Sequence, residues 1–418
     1  MKVSVIGLGY IGLPTAAVLA SRGVEVIGVD INQHAVDTIN QGEIHIVEPE
    51  LDMLVHAAVQ TGHLRAALKP EKADAFMVAV PTPFKGDHEP DLAYIEAAAK
   101  SIAPVLDKGN LIILESTSPV GATEKMMNWM KEVRPDLTFP VYGVDNESCE
   151  IAVAHCPERV LPGHVVRELV ENDRIIGGVT TTCAEKAKEL YKIFVDGECL
   201  ITDARTAELS KLVENSFRDV NIAFANELSL ICDSLDINVW ELIQLANRHP
   251  RVNILQPGPG VGGHCIAVDP WFIVDSAPEH AKLIHAARLV NDGKPAFVLD
   301  KIEHAAVAIG KEKSDLSVAC LGLAFKPDID DLRESPALEI AIQVEGMGFK
   351  KCYLVEPNIA EIPKGFDSSL SELNTLEEAL MNSDIVILLV DHKSFKNMDL
   401  SMISGKQVVD TRGAWDLS

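Results

Sequence analysis

One stretch of this chain could carry nucleophilic chemistry. Cys265 stands in "PGPGVGGHCIAVDP" (257–270), behind prolines and glycines that suit neither helix nor strand. Such a loop leaves a thiol more accessible than a core cysteine, and its backbone amides can stabilise a thiolate or an oxyanion. Most of the other seven cysteines lie in apolar runs, such as Cys232 in "LSLICDSL" and Cys320 in "SVACLG", where packing is the expected role. No CxxC pair or zinc-finger spacing occurs among the eight. A disulfide scaffold and a metal site are therefore not expected, and thiols kept in a reducing cytoplasm are. His264 adjoins the cysteine, but neighbours in an extended loop point apart, which makes it a poor catalytic base.

A second chemical feature opens the chain. "KVSVIGLGYIGLPTAAVLASRGVEVIGVD" reads as a strand, a turn at Gly7, Gly9 and Gly12, an alanine-rich helix and a strand ending at Asp30. A GxGxxG is weak evidence alone; between a strand and a helix, with an acid about 20 residues on, it fits a dinucleotide-binding unit. Gly9 would let a pyrophosphate approach the positive helix N-terminus, and Asp30 would accept from ribose hydroxyls and repel a 2′-phosphate. The expected cofactor is NAD. Strands at 73–83 and 110–121 end in "PTP" and "STSPVG", so Thr82 and Thr117 are either site residues or turn caps. A nicotinamide unit together with an exposed cysteine points to aldehyde oxidation through a thiohemiacetal and a thioester.

The elements must hold these groups. From about Thr202 to Ile237 one long helix is expected, with an apolar stripe at Val213, Phe217, Val220, Phe224, Leu228 and Ile231. Lys211, Asn215 and Arg218 fall on the opposite side, as either a solvated face or a functional one. A helix of about 35 residues spans about 50 Å, long enough to join domains and pair with a second subunit. After Lys311 the strand and helix alternation returns, with Glu356 ending its second strand as Asp30 does in the first half. The expected fold is α/β: two Rossmann-like doubly wound domains, at 1–200 and 311–418, joined by a helical middle domain at 201–310. The second lacks the glycine fingerprint, so a second dinucleotide is not expected there.

Composition agrees with a multidomain globular chain of 418 residues, 47% hydrophobic and 24% charged. A net charge of -25 argues against a nucleic-acid or membrane-surface binder. No apolar run approaches the roughly 20 residues that cross a bilayer, and the glycine-broken N-terminus reads as a strand rather than a signal peptide.

The ordered motifs "GLGYIGLP", "STSPVG", "KLVENSFRDVNIAFANEL" (211–228), "GPGVGGHCIAVDP" and "GLAFKPDIDDLRES" (322–335) resemble the UDP-glucose/GDP-mannose dehydrogenases over nearly the whole length. The resemblance implies a four-electron oxidation of a sugar-nucleotide CH2OH to a carboxylate with two NAD. It implies Cys265 as nucleophile, Lys211 as oxyanion stabiliser and proton exchanger, and Asn215 as a sugar holder. Thr117, Glu158 and Asp269 would orient the hydrolytic water and complete the proton relay. On the cofactor side it implies Tyr10 and Ile11 beside the glycines, with Arg333 reaching NAD from the far domain. Substrate contacts would include Arg159, Val160, Arg218, Gly262, Phe325 and Lys326, with His249 and Arg251 reaching across a homodimer.

"CPERVLPG" (156–163), and Val268 where the UDP-glucose branch usually has lysine, resemble the branch acting on UDP-N-acetylhexosamines. The manno epimer is the expected substrate, supplying a surface polysaccharide, with the gluco epimer as alternative. A non-catalytic nucleotide-sugar sensor would be expected to have damaged motifs, and a two-electron hydroxyacid dehydrogenase would need no cysteine.

Overall fold

The first strand, Lys2–Ile6, is buried on both faces, with Val3 and Val5 on one and Ser4 and Ile6 on the other, as a central strand of a parallel sheet covered by helices must be. In the computed structural model, which describes residues 1–86, 88–144, 149–161, 163–263 and 265–415, this strand lies inside an eight-stranded sheet. Glu25–Val29 pairs with it on one side and Ala75–Val78 on the other, both parallel. Leu64–Ala67 extends one edge. Leu111–Leu114, Ala152–His155, Arg174–Gly178 and Cys199–Asp203 extend the other, with one antiparallel step between Ala152–His155 and Arg174–Gly178. The order reverses at Lys2–Ile6, and such a switch point opens a crevice at the strands' carboxyl ends.

The chain divides into two compact units. The first is Met1–Glu214 with Asp275–Ala277, and the second is Asn215–Val274 with Pro278–Ser418. The second holds a five-stranded, wholly parallel sheet with Ser317–Leu321 at its centre, between Lys351–Val355 and Ile385–Leu388. Ser371–Leu373 and Gln407–Asp410 form its edges. Both sheets thus have the doubly wound Rossmann-like pattern.

The unit boundary falls within one continuous helix, Ala204–Ser234. Its core-facing residues are small or well packed, such as Leu212, Ala223 and Ala225. The apolar stripe read from the sequence turns outward: Val213 is 47%, Phe217 71%, Phe224 52% and Ile231 46% exposed. No helix among the described residues is long and apolar enough to cross a membrane.

Candidate active site

In the first unit the glycine turn is built by close approach. A Cβ on Gly12 would stand 1.8 Å from the Gly7 carbonyl oxygen, and Gly7 itself has φ +90°, so neither position accepts a side chain. At Gly9 a Cβ would meet nothing within 4 Å, so the protein does not itself demand glycine there. The bare backbone instead leaves room before the Gly12–Ser21 helix, whose N-cap residue, Ile11, supplies no capping side chain. No acid occupies the first turn, and Tyr10 beside it is exposed.

Asp30 accepts from Leu8 N at 2.8 Å on one oxygen and from Asn32 N at 2.9 Å on the other. Each oxygen keeps a lone pair for a ribose hydroxyl. Thr82, past the neighbouring strand, has a buried hydroxyl with no hydrogen-bond partner among the described residues. Open backbone, uncapped helix, acceptor carboxylate and orphaned hydroxyl together fit NAD: the Gly7–Gly12 turn would hold the pyrophosphate and Asp30 the ribose.

The same unit holds the expected water-handling residues. Thr117 is half-buried beyond Leu111–Leu114, in a turn fixed at both ends. Ser116 donates to the Val80 carbonyl at 2.6 Å, and Glu208 accepts from Gly121 N at 2.6 Å and from Thr123 N and Oγ1 at 2.8 and 2.6 Å. Glu158 is buried; Arg174 donates to one of its oxygens at 2.6 Å and Arg159 N to the other at 2.6 Å. The Arg159 guanidinium pairs with both oxygens of Glu214, at 3.2 and 2.7 Å. Val160 packs on the first unit's core. Lys211 is partly exposed and has no ion-pair or hydrogen-bond partner among the described residues.

The second unit carries the thiol. None of the eight cysteines is in a disulfide, and Cys265 alone is exposed. Its carbonyl accepts from Val268 N at 3.1 Å and Asp269 N at 2.8 Å, a turn that starts the Asp269–Ser276 helix. Val268, half-buried, serves that turn through its backbone, its carbonyl accepting from Trp271 N at 3.0 Å. Asp269 is buried and accepts from Asn215 Nδ2 at 2.5 Å.

The loop's glycines are forced by contact. A Cβ on Gly262 would lie 2.3 Å from the Glu334 carbonyl oxygen, and one on Gly263 would lie 3.1 Å from the Phe325 ring. Lys326, next to Phe325, is exposed. Arg333 pairs with both oxygens of Asp331 at 2.9 and 2.7 Å. Arg218, His249 and Arg251 are exposed, and His264 lies outside the described residues.

Sequence reasoning missed Arg174, Glu208, Glu115 and Tyr191. Arg174 and Tyr191 are buried at the core, where Tyr191 donates to Glu115 at 2.6 Å. The available signal was composition against position: a charged residue in an otherwise apolar strand is rarely buried without a partner.

An NAD-fitting unit, a second Rossmann-like unit and one exposed thiol in a glycine loop define an NAD-dependent oxidoreductase. The family models agree: the NAD binding domain of the UDP-glucose/GDP-mannose dehydrogenase family matches residues 1–195, the central domain 205–293 and the UDP binding domain 319–417. The chain belongs to the UDP-glucose/GDP-mannose dehydrogenase family and is an NAD-dependent UDP-sugar dehydrogenase.

It is 62% identical over 417 residues to a UDP-N-acetyl-D-mannosamine dehydrogenase of Escherichia coli (strain K12), covering 99% of each chain. It is 63% identical over 413 residues to an NDP-N-acetyl-D-galactosaminuronic acid dehydrogenase of Ralstonia nicotianae, covering 99% of this chain and 96% of that protein. A solved structure of a UDP-D-ManNAc dehydrogenase from Pyrococcus horikoshii superposes with a TM-score of 0.87 at 38% identity, covering 100% of this chain and 97% of that one.

Proposed function

We propose that the protein oxidises C6 of UDP-N-acetyl-D-mannosamine from the alcohol to the carboxylate, in two two-electron steps. The observation that carries this reading is the exposed Cys265 thiol, four residues from a buried Asp269 whose carboxylate Asn215 holds. NAD, when bound, supplies the hydride acceptor for each oxidation, one molecule per step. Cys265 Sγ bonds to the aldehyde carbon, giving a thiohemiacetal and then a thioester. Water adds to the thioester carbonyl, the carbon–sulfur bond breaks, and the thiolate and carboxylate are released.

Lys211, without an anionic partner among the described residues, stabilises the oxyanions and exchanges protons; Asn215 orients Asp269 and the sugar. Thr117 and Glu158 orient the water, Glu158 from a position fixed by Arg174. Phe325, Lys326, Gly262, Val160, Arg159, Arg218, His249 and Arg251 contact the substrate, and Arg333 the cofactor. Arg159 and Arg333 would exchange their Glu214 and Asp331 partners for ligand anions. The exposed stripe of the long helix supports a homodimer. The cysteines outside disulfides support a cytoplasmic enzyme, its uronate product feeding surface polysaccharide.

The Ralstonia relative favours a second reading, the N-acetylgalactosamine epimer. Turnover with the manno, gluco and galacto UDP-N-acetylhexosamines tests the choice. We expect the manno epimer to be preferred, with two NADH formed per sugar, and Cys265→Ser to abolish acid formation. One NADH per sugar, or acid formed at an unchanged rate by C265S, would overturn the mechanism.

A further inference from the structure

We propose that His392, acting with Glu356, is a positioning residue that fixes the Phe325–Lys326 segment and, through Phe325, the loop bearing Cys265. This rests on the reading above for the role of that loop. The two units repeat one local design. Gly7 N donates to the Val29 carbonyl at 2.8 Å and Leu8 N to Asp30 at 2.8 Å; Gly322 N donates to the Val355 carbonyl at 2.8 Å and Leu323 N to Glu356 at 2.8 Å. The two acids differ in what else they hold.

Asp30 keeps room for a ribose. Glu356 is buried, and protein donors take up both its oxygens. Oε2 also accepts from Ala324 N at 3.0 Å and contacts His392 Nε2 at 3.0 Å. Oε1 accepts from Asn358 N at 3.3 Å and Nδ2 at 3.2 Å. Burial pushes this carboxyl up, but the His392 and backbone hydrogen bonds outweigh it and hold the group below its ordinary value. The acid in the ribose-reading position has become a structural anchor.

His392 completes the anchor. Its ring is buried, edge-on to Phe395 at 5.2 Å. Asp328 N donates to Nδ1 at 2.9 Å, so Nδ1 is the bare nitrogen and Nε2 carries the proton given to Glu356. Asp328 has φ +62°, a conformation that non-glycine residues adopt only when their surroundings impose it. The surroundings are explicit: its N–H is held by His392, and its carboxylate accepts from Lys393 N at 3.1 Å. The segment is thus tied at Leu323 and Ala324 and again at Asp328. Only Phe325, Lys326 and Pro327 lie between, and the Phe325 ring abuts Gly263, two residues before Cys265.

Two amide replacements of His392 separate its two nitrogens. His392→Asn can place an acceptor near Nδ1 for Asp328 while giving up the donor to Glu356; His392→Gln does the reverse, and His392→Ala removes both. The readouts are the rate at which iodoacetamide labels Cys265 in the full-length protein, followed by peptide mass, and KM for the sugar nucleotide against kcat. We expect H392N to stay within about threefold of wild type in both labelling rate and KM.

H392Q and H392A should change the labelling rate at least fivefold and raise KM at least tenfold, with KM for NAD unchanged. Equal behaviour of H392N and H392Q, or unchanged labelling in all three, overturns the proposal. Should H392A fail to fold, the Asn and Gln pair still decides. Labelling needs no substrate, so a wild-type protein inactive on sugar nucleotides would sink the functional reading while labelling still judged the positioning role.

Discussion

Glu115 shows how one buried carboxyl can set a pH dependence for the whole first unit. It is buried, with Tyr191 donating to Oε1 at 2.6 Å and no partner for Oε2 among the described residues. Burial first, and then the charge of Glu158, lift it from 4.5 to about 7. The folded state therefore holds the proton more tightly than the unfolded chain. Stability is greatest while both states are protonated, and it falls as pH rises from 4.5 to about 7. At 1.36 kcal/mol per unit the loss reaches about 3 kcal/mol. Glu115→Gln keeps an acceptor for Tyr191 and removes the titration. Denaturant unfolding at pH 4 and pH 8 should show the wild type losing more stability than E115Q by about that amount; equal losses would contradict this account.

At the scale of elements, Glu208 clamps the start of the Ala122–Val133 helix from the long helix, satisfying backbone donors that the helix itself cannot. Glu208→Ala leaves Gly121 N, Thr123 N and the Thr123 hydroxyl without their acceptor, and we expect a loss of about 2–3 kcal/mol in chemical denaturation. A loss below about 0.5 kcal/mol would mean that water replaces the carboxylate.

This clamp also marks how far the sequence could be read. The glycine turn, the long helix and the cysteine loop are local patterns, and each was legible: the helix expected over 202–237 runs Ala204–Ser234. Glu208 meets Thr123 across 85 residues and Glu158 meets Arg174 across 16, and pairs like these leave no periodic trace. Phe325 against Gly263 is similar: the sequence gives two motifs, and only folding makes them neighbours. The family resemblance points to Arg159 as a substrate contact, and its pairing with Glu214 needs the fold to be seen.

For the whole molecule, a net charge of -25 sets two copies of this chain against each other at long range. A stable dimer would need an apolar surface to outweigh that repulsion, and the long helix offers Val213, Phe217, Phe224 and Ile231 on one exposed face. Each phenylalanine so covered would contribute on the order of 1.5–3 kcal/mol, less what the monomer already buries. Replacing Phe217 and Phe224 together by Glu removes that area and adds two like charges to each copy. Sedimentation at micromolar concentration should then change from a dimer to the 45.4 kDa chain, with the variant's thermal unfolding otherwise cooperative. Because salt screens charge and leaves apolar burial intact, dilution at low ionic strength should dissociate the wild type before dilution at high ionic strength does. A double variant that kept the dimer mass would exclude the stripe as the interface, whatever the activity of the enzyme.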